Sequence, residues 1–413
     1  VNAKYGNFFS ISGGWNIHQE DFFNFDWVQQ LKIRVSYGSV GNRPMDDYPQ
    51  YMLYKANLKY DANPGAMLNQ LENKELTWEK TYTAGIGLDV MLFDRLSLNL
   101  DLYSKKTADL LYQVPIPGVV GVASLWQNVG QVNNKGVEFS VAYDILNNKD
   151  LKWNVSANIA KNRNKIAKLY GNGDPITVSN GGADKTGILD KRMEVGYDLD
   201  SWYGAEWAGV DPQTGDPQWY YTTENGMREK TNNYSLAQTS KVILGSMTPN
   251  FFGGFGSEFA WNNLTVSANF GYSVGGKIFS YNRTVYDSDG AYPTYNQQIM
   301  LDSWSRWQKP GDVATHPKLV YGNTSNSSKP SSRQLENASY LRMRVLTVGY
   351  LLPWKIPHVN GVRINVSGEN LFTITGFSGP DPEMINTTDG RVGAFVNAYP
   401  QTRKFLLSLN VTL

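Results

Sequence analysis

The residues that could do chemistry are few, and each sits where a reaction would be hard to run. Gly271-Tyr272-Ser273-Val274-Gly275 has the GxSxG spacing of a nucleophile elbow, a strand-to-helix turn that presents a serine to a histidine and an acid. Here it ends a run of alternating apolar and polar residues, and no helical pattern follows. Overlapping it, Gly271 to Lys277 nearly spells a phosphate-binding loop, but Ile278 stands where a Ser or Thr would hold Mg²⁺. The histidines are His18, His316 and His358, far apart and without HExxH-like spacing, and there is no cysteine. That excludes disulfides, thiolate metal sites and a cysteine nucleophile. Asp211-Pro212-Gln213-Thr214-Gly215-Asp216 is spaced somewhat like a short cation loop, although Asp, Pro and Gly each favour a tight turn for separate reasons. Asp287-Ser288-Asp289-Gly290 is an equally weak Ca²⁺ candidate. No catalytic set, metal site or cofactor emerges, and the Asn-x-Ser/Thr sequons add nothing.

The aromatic residues are more informative, at 13% of the chain. In the long polar segments they cluster as Trp202, Tyr203 and Trp207, as Trp219, Tyr220 and Tyr221, and as Tyr281, Tyr286, Trp304 and Trp307. Exposed rings stack on sugar faces or pack at protein interfaces with little entropic cost, so these ten are candidates for contact with a substrate or a partner. The plainer alternative is that they pack the loops themselves or form an interfacial girdle.

What positions them is a set of strands. Residues 95–103 read Arg-Leu-Ser-Leu-Asn-Leu-Asp-Leu-Tyr, with every even position apolar, and the period recurs at 137–145, 151–159, 264–272 and 405–413. Weaker copies lie near 4–17, 30–40, 77–92, 248–260, 335–351 and 362–375, and no stretch sustains a 3.6 period. A two-residue period gives one greasy and one wet face. These runs reach about nine residues, the length a tilted transmembrane strand needs, whereas no apolar run approaches the ~18 of a spanning helix. The net charge of +1 lacks the basic excess of a nucleic-acid binder.

Connections alternate short and long, as in outer-membrane barrels with short periplasmic turns and long extracellular loops. The long ones fall near 41–76, 113–132, 166–200, 224–247, 279–334 and 376–402. Strict parity requires an even number of strands between 165 and 248, for which 201–209 and 218–223 are candidates. Phe93, Trp153, Trp261 and Trp354 adjoin the short turns and fit an aromatic girdle. The expectation is all-β: an antiparallel transmembrane barrel piece of about twelve strands occupying residues 1–413. The first residue is Val1 rather than Met, and no charged-then-apolar signal segment follows it, so the chain reads as a processed product or part of something longer.

Ser332-Arg333-Gln334-Leu335-Glu336-Asn337-Ala338-Ser339-Tyr340-Leu341-Arg342-Met343-Arg344, followed by Thr347 to Pro353, resembles a signature of the SusC/RagA family of TonB-linked outer-membrane transporters of Bacteroidota. Ser36 to Asn42, Asn134 to Glu138, Gly209 to Pro217, Pro249 to Gly254, Leu301 to Trp304, Val366 to Phe372 and Arg403 to Leu413 also match, in order. The resemblance covers nearly the whole chain. It implies a 22-stranded barrel with an N-terminal plug, energised by TonB and lidded by a SusD-like surface lipoprotein. The sequence departs from that pattern in lacking a plug or TonB box and in ending on Leu413 rather than an aromatic residue, so it looks like the C-terminal half of such a transporter.

The function expected from the resemblance is active import of a nutrient oligomer, glycan or oligopeptide, across the outer membrane. The partners it implies are a SusD-like lipoprotein, the remaining N-terminal barrel and plug polypeptide, TonB and membrane lipid. A passive porin or structural barrel is the main rival. An outer-membrane hydrolase would need an acid–His–Ser cluster that the spacing does not supply.

Overall fold

Strand period and strand length decide the architecture. The computed structural model describes residues 5–43, 48–61, 63–178, 187–295, 300–354, 356–385, 393–395 and 399–412; Leu413 and parts of the long connections lie outside them. The long strands are β1 (Ser10–Asn16), β2 (Val28–Asn42), β3 (Glu79–Leu92), β4 (Leu96–Ala108), β5 (Gln131–Asn147), β6 (Leu151–Lys168), β7 (Phe251–Trp261), β8 (Leu264–Val274), β9 (Tyr340–Leu352), β10 (Gly361–Thr375) and β11 (Lys404–Thr412). The chain forms two compact units, one of Val1–Tyr143, Ala160–Pro175 and Glu194–Leu199, the other of Asp144–Ile159, Ile176–Met193 and Asp200–Leu413.

In the first unit the sheet order is β1-β2-β3-β4-β5, with the C-terminal half of β6 beside β5. Pairing is antiparallel and its register keeps the faces apart: Ile33 opposite Leu88, Val35 opposite Ile86, and Arg34 opposite Gly87. Arg34 lies along the polar face, its guanidinium 2.7 Å from Asp89 and 3.1 Å from Asp101. On the opposite face Val35, Ile86 and Leu102 are exposed, as a lipid-facing row must be. Two long connections carry hairpins, Leu53–Tyr60 with Asn63–Gln70 and Leu111–Pro115 with Ser124–Asn128. Asn73 donates to Trp126 O at 2.7 Å and Asn128 accepts from Thr77 N at 2.7 Å, which ties these connections together.

In the second unit the N-terminal half of β6 leads the order β7-β8-β9-β10-β11. Gly253 is placed so close to β6 that an added Cβ would stand 2.1 Å from the carbonyl oxygen of Asn158. Short connections at 17–27, 93–95, 148–150, 262–263 and 353–360 alternate along the chain with long ones at 43–78, 109–130, 169–250, 275–339 and 376–403. The aromatics of the short turns are exposed. Phe93 has φ of 56°, and its ring is stacked on Trp27 at 5.5 Å.

The described residues contain eleven long strands, against an expected count of about twelve. The segments 201–209 and 218–223 do form strands, but they belong to small sheets within one excursion, 169–250, that merges the expected loops 166–200 and 224–247, the first of them starting inside β6. Ser201–Gly204 joins a four-stranded sheet with Ile176–Val178, Asp190–Met193 and Val242–Ser246. Trp207–Val210 and Pro217–Thr222 join Arg228–Thr231 in a three-stranded one. At four to six residues they are too short for a crossing of about nine to eleven. Parity survives because zero crossings is also an even number.

The contact at Gly253 makes a test. In the full-length protein, Gly253→Ala should destabilise by about 1–3 kcal/mol, the usual range for overpacking. Gly118→Ala, where an added Cβ meets nothing within 4 Å, should be neutral. The temperature at which heat-modifiable gel migration is lost reads both.

Candidate functional site

The long connections of the second unit fold into an assembly with its own core, and the aromatic candidates are distributed through it. Trp202 has no exposed surface; it packs with Phe279, Ile188, Leu189, Leu244 and Ala394, and its indole donates to Lys277 O at 3.0 Å. Trp219 is equally buried, edge-on to Trp207 at 5.5 Å and to Tyr234 at 5.2 Å. Burial, then Asp190, push the Tyr234 phenol up. Tyr281 packs against the Trp202 cluster. Trp307 donates to Pro212 O at 2.9 Å, fastening the 211–216 turn, in which Asp211 accepts from Gln213 N at 2.8 Å and Thr214 N at 3.2 Å. That segment is the tight turn its composition favours.

The remaining candidates keep some surface. Tyr203 lies under Arg192 at 4.5 Å, and Tyr220 under Arg228 at 3.8 Å. Tyr221 donates to Glu229 at 3.0 Å. Trp304 lies beside the tilted His316 ring, 4.8 Å away, and the Arg283 guanidinium, 4.7 Å away. Tyr286 is the most open of the ten, 42% exposed. The structure therefore brings Trp207 and Trp219 together and leaves Tyr286 apart from the other rings.

The dominant feature of this assembly is ionic. Asp287 and Asp289, buried to 5% and 0% exposure, face arginines from three separate segments. Arg283 and His316 each reach Asp287 at 2.9 Å, Arg306 reaches Asp289 at 2.7 Å, and Arg333 touches both carboxylates. Ser327 donates to Asp289 at 2.6 Å. Burial by itself would raise the Asp287 carboxyl, but the His316 hydrogen bond and the Arg333 and Arg283 charges outweigh it and bring it down to about 2. Burial likewise opposes charge on Arg333, and Asp289 and Asp287 more than offset it. With its lone pairs committed to guanidiniums, the Asp287–Gly290 segment is not a Ca²⁺ loop. No His/Asp/Glu grouping suited to a metal occurs among the described residues.

Arg333 belongs to the segment that carried the family resemblance, and the rest of that segment is similarly engaged. Ser331 and Gln334 form a capping box, Ser332 accepts from Trp207 N at 2.9 Å, and Glu336 binds Ser378 at 2.7 Å. Arg342 meets Asp381 at 2.6 Å; Glu383 takes Tyr340 at 2.6 Å and Arg344 at 2.8 Å. The sequence pointed to this stretch as a label, and the Asp287–Asp289 pair was visible only as a doubtful cation loop. Ser273, the elbow serine, is a buried strand residue opposite Phe252 and Tyr340.

The family described as TonB dependent receptor-like, beta-barrel matches residues 2–237. TonB-dependent receptor P3 of Formosa agariphila is 30% identical over 99% of this chain and 42% of its own length. This chain belongs to the TonB-dependent receptor β-barrel family. SusC of Bacteroides thetaiotaomicron is 28% identical over 99% of the chain and 40% of its own length. The structure titled as that of the RagAB peptide transporter aligns with a TM-score of 0.83 at 29% identity, covering 98% of this chain and 43% of that one. The SusC/RagA resemblance thus holds, and with it an outer-membrane location. These relatives are receptors and transporters rather than enzymes. The chain spans about two-fifths of the length of the curated relatives it matches.

Arg333→Met removes the cation shared by two buried carboxylates and leaves each with its remaining partners; it should cost about 3 kcal/mol, the low end for breaking a buried pair, read as faster proteolysis within 281–335 of the full-length protein, whereas Tyr286→Ala should leave it unchanged. Because Asp287 titrates lower folded than in an unfolded chain, at about 3.9, its contribution is complete above that value and lost as pH falls toward about 2. Near-ultraviolet circular dichroism should show an acid transition in that window, and Asp287→Asn should flatten it.

Proposed function

We propose that this chain is the strand-and-loop portion of an active importer that carries a nutrient oligomer, glycan or oligopeptide, across the outer membrane. The remaining polypeptide, not contained in this sequence, would supply the other barrel strands and the plug. TonB would energise release, and a SusD-like surface lipoprotein would cover the loops. The observation that carries this reading is the folded loop assembly itself: a passive pore has no need of a buried Asp287–Asp289–Arg333 lattice that fixes its outer segments. Structural likeness to a peptide transporter and sequence likeness to SusC support it equally, so neither substrate class is preferred. Tyr286, Tyr220, Tyr221 and Tyr203, which keep accessible ring surface, are the proposed contacts to substrate or lipoprotein; Trp202 and Trp219 act through packing. The roles of Trp207, Tyr281, Trp304 and Trp307 are likewise to hold those loops.

Mild-detergent purification from outer membranes with mass spectrometry of accompanying proteins tests the reading. Recovery of a plug-bearing polypeptide and a surface lipoprotein is the expected result. A folded barrel running alone at 46.3 kDa would instead support a porin-like protein.

A further inference from the structure

Strand β9 changes face part-way along its length, and this places one loop segment against the polar side of the sheet. Val266 pairs with Val348 and Ala268 with Leu346, so even-numbered residues of lower β9 share the apolar face. Asn269 then pairs with Val345 but Phe270 with Met343, leaving Arg344 as the bulged residue. Above it the odd residues Met343 and Leu341 are apolar-facing, and the even residues Arg342 and Tyr340 pair with Gly271 and Ser273 on the polar face. An added Cβ on Gly271 would stand 2.8 Å from the Arg344 Nε, so Arg344 lies over that same polar face. A bulge is the ordinary way to re-aim side chains in a sheet.

All three side chains converge on one segment. Asp381 is held by Arg342, and Glu383 by Tyr340, Arg342 and Arg344. Asp381 also accepts from Gln401 N at 3.2 Å, and Glu336 fixes Ser378. Phe377 packs with Ile278 and Phe395, and Met384 and Ile385 lean on that cluster. Residues 376–385 therefore cannot swing freely; they are tied at several points to the face of the strands that, in this family's barrels, looks into the lumen.

We infer that 376–385 is a fixed, inward-folded selectivity element that narrows the passage beside β8–β10 and limits the size of what enters. The inference rests on the import reading only in calling that space a passage; its geometry stands alone. The segment presents Glu383 and Arg344 to the open side, half-buried and 40% exposed respectively, so the narrowed wall is polar and charge-balanced. It would pass hydrated oligomers by width rather than by sign.

This chain contains no cysteine, so a thiol placed in it is read in the full-length protein in whole cells against the same protein without the substitution. Asn269→Cys puts a thiol on the exposed polar face just beneath the clamp. It should react with a small maleimide and resist maleimides bearing longer polyethylene glycol chains. Adding Asp381→Asn with Glu383→Gln, or replacing 378–384 by three glycines, should raise labelling by the longer reagents at least about tenfold, as an open form goes from minor to dominant. Heat-modifiable migration checks that each variant still folds. An unchanged size limit in both folded variants would overturn the inference, as would failure of the smallest reagent to reach Asn269→Cys. The import reading is judged separately, by whether uptake needs the proton-motive force.

Discussion

Two carboxylates shut away from water impose the condition that the loop assembly must meet. An ion moved into a protein interior loses several kcal/mol of hydration, and only well-aligned opposite charges with complete hydrogen bonding restore it. Asp287 and Asp289 find those partners in Arg283, Arg306, Arg333 and His316, which lie on separate stretches of the second unit. Arg283 and Asp287 are neighbours on one turn of chain, but Arg306, His316 and Arg333 must arrive from elsewhere before both carboxylates have their full set of partners. Their assembly is consequently cooperative, and the Trp202 and Trp219 clusters around them inherit a defined geometry.

The strands answer to a different rule. In hydrocarbon every backbone N–H and C=O requires a partner within the protein, so long antiparallel strands with short turns are imposed at one set of ends. At the other set, water relaxes the rule, and the chain builds small sheets and hairpins whose only requirement is local closure. Loops can therefore differ in content while the strands keep a common register.

This division explains what could be read in advance. Alternation identified the long strands because a period of two follows directly from having lipid on one side and water on the other. It misjudged 201–209 and 218–223 because β-propensity and alternation are the same in a four-residue loop strand and in a transmembrane one; only length separates them. The Arg344 bulge went unread although the phase does slip there: Arg342 and Arg344 are polar where Leu346 and Val348, at the same parity, are apolar, a break too short to stand out within one weakly alternating run. The ion cluster was missed for another reason. Asp287 and Arg333 are 46 residues apart, and pattern reading weighs neighbours. The run from Ser332 to Arg344 stood out as a family mark, and its physical meaning came only with the partners it meets. Of the aromatic candidates, those with the most distinctive chemistry, Trp202 and Trp219, turned out to be the most deeply packed, because large rings serve a loop core as readily as a ligand.

The bulge at Arg344 also bears on how such a chain can diverge. Within a strand, one residue gained or lost ordinarily inverts everything beyond it, sending polar groups to lipid and apolar groups to water. Here one such inversion is already built in, and the clamp on Asp381 and Glu383 depends on it. Drawing Arg344 into the regular ladder without shortening the strand would move each residue above it by one position and turn Tyr340 and Arg342 outward into hydrocarbon. Length variation should thus be free in the hairpin tips of the long connections and forbidden at the regularly paired positions on either side of Arg344, where the count of residues, more than their identity, carries the information.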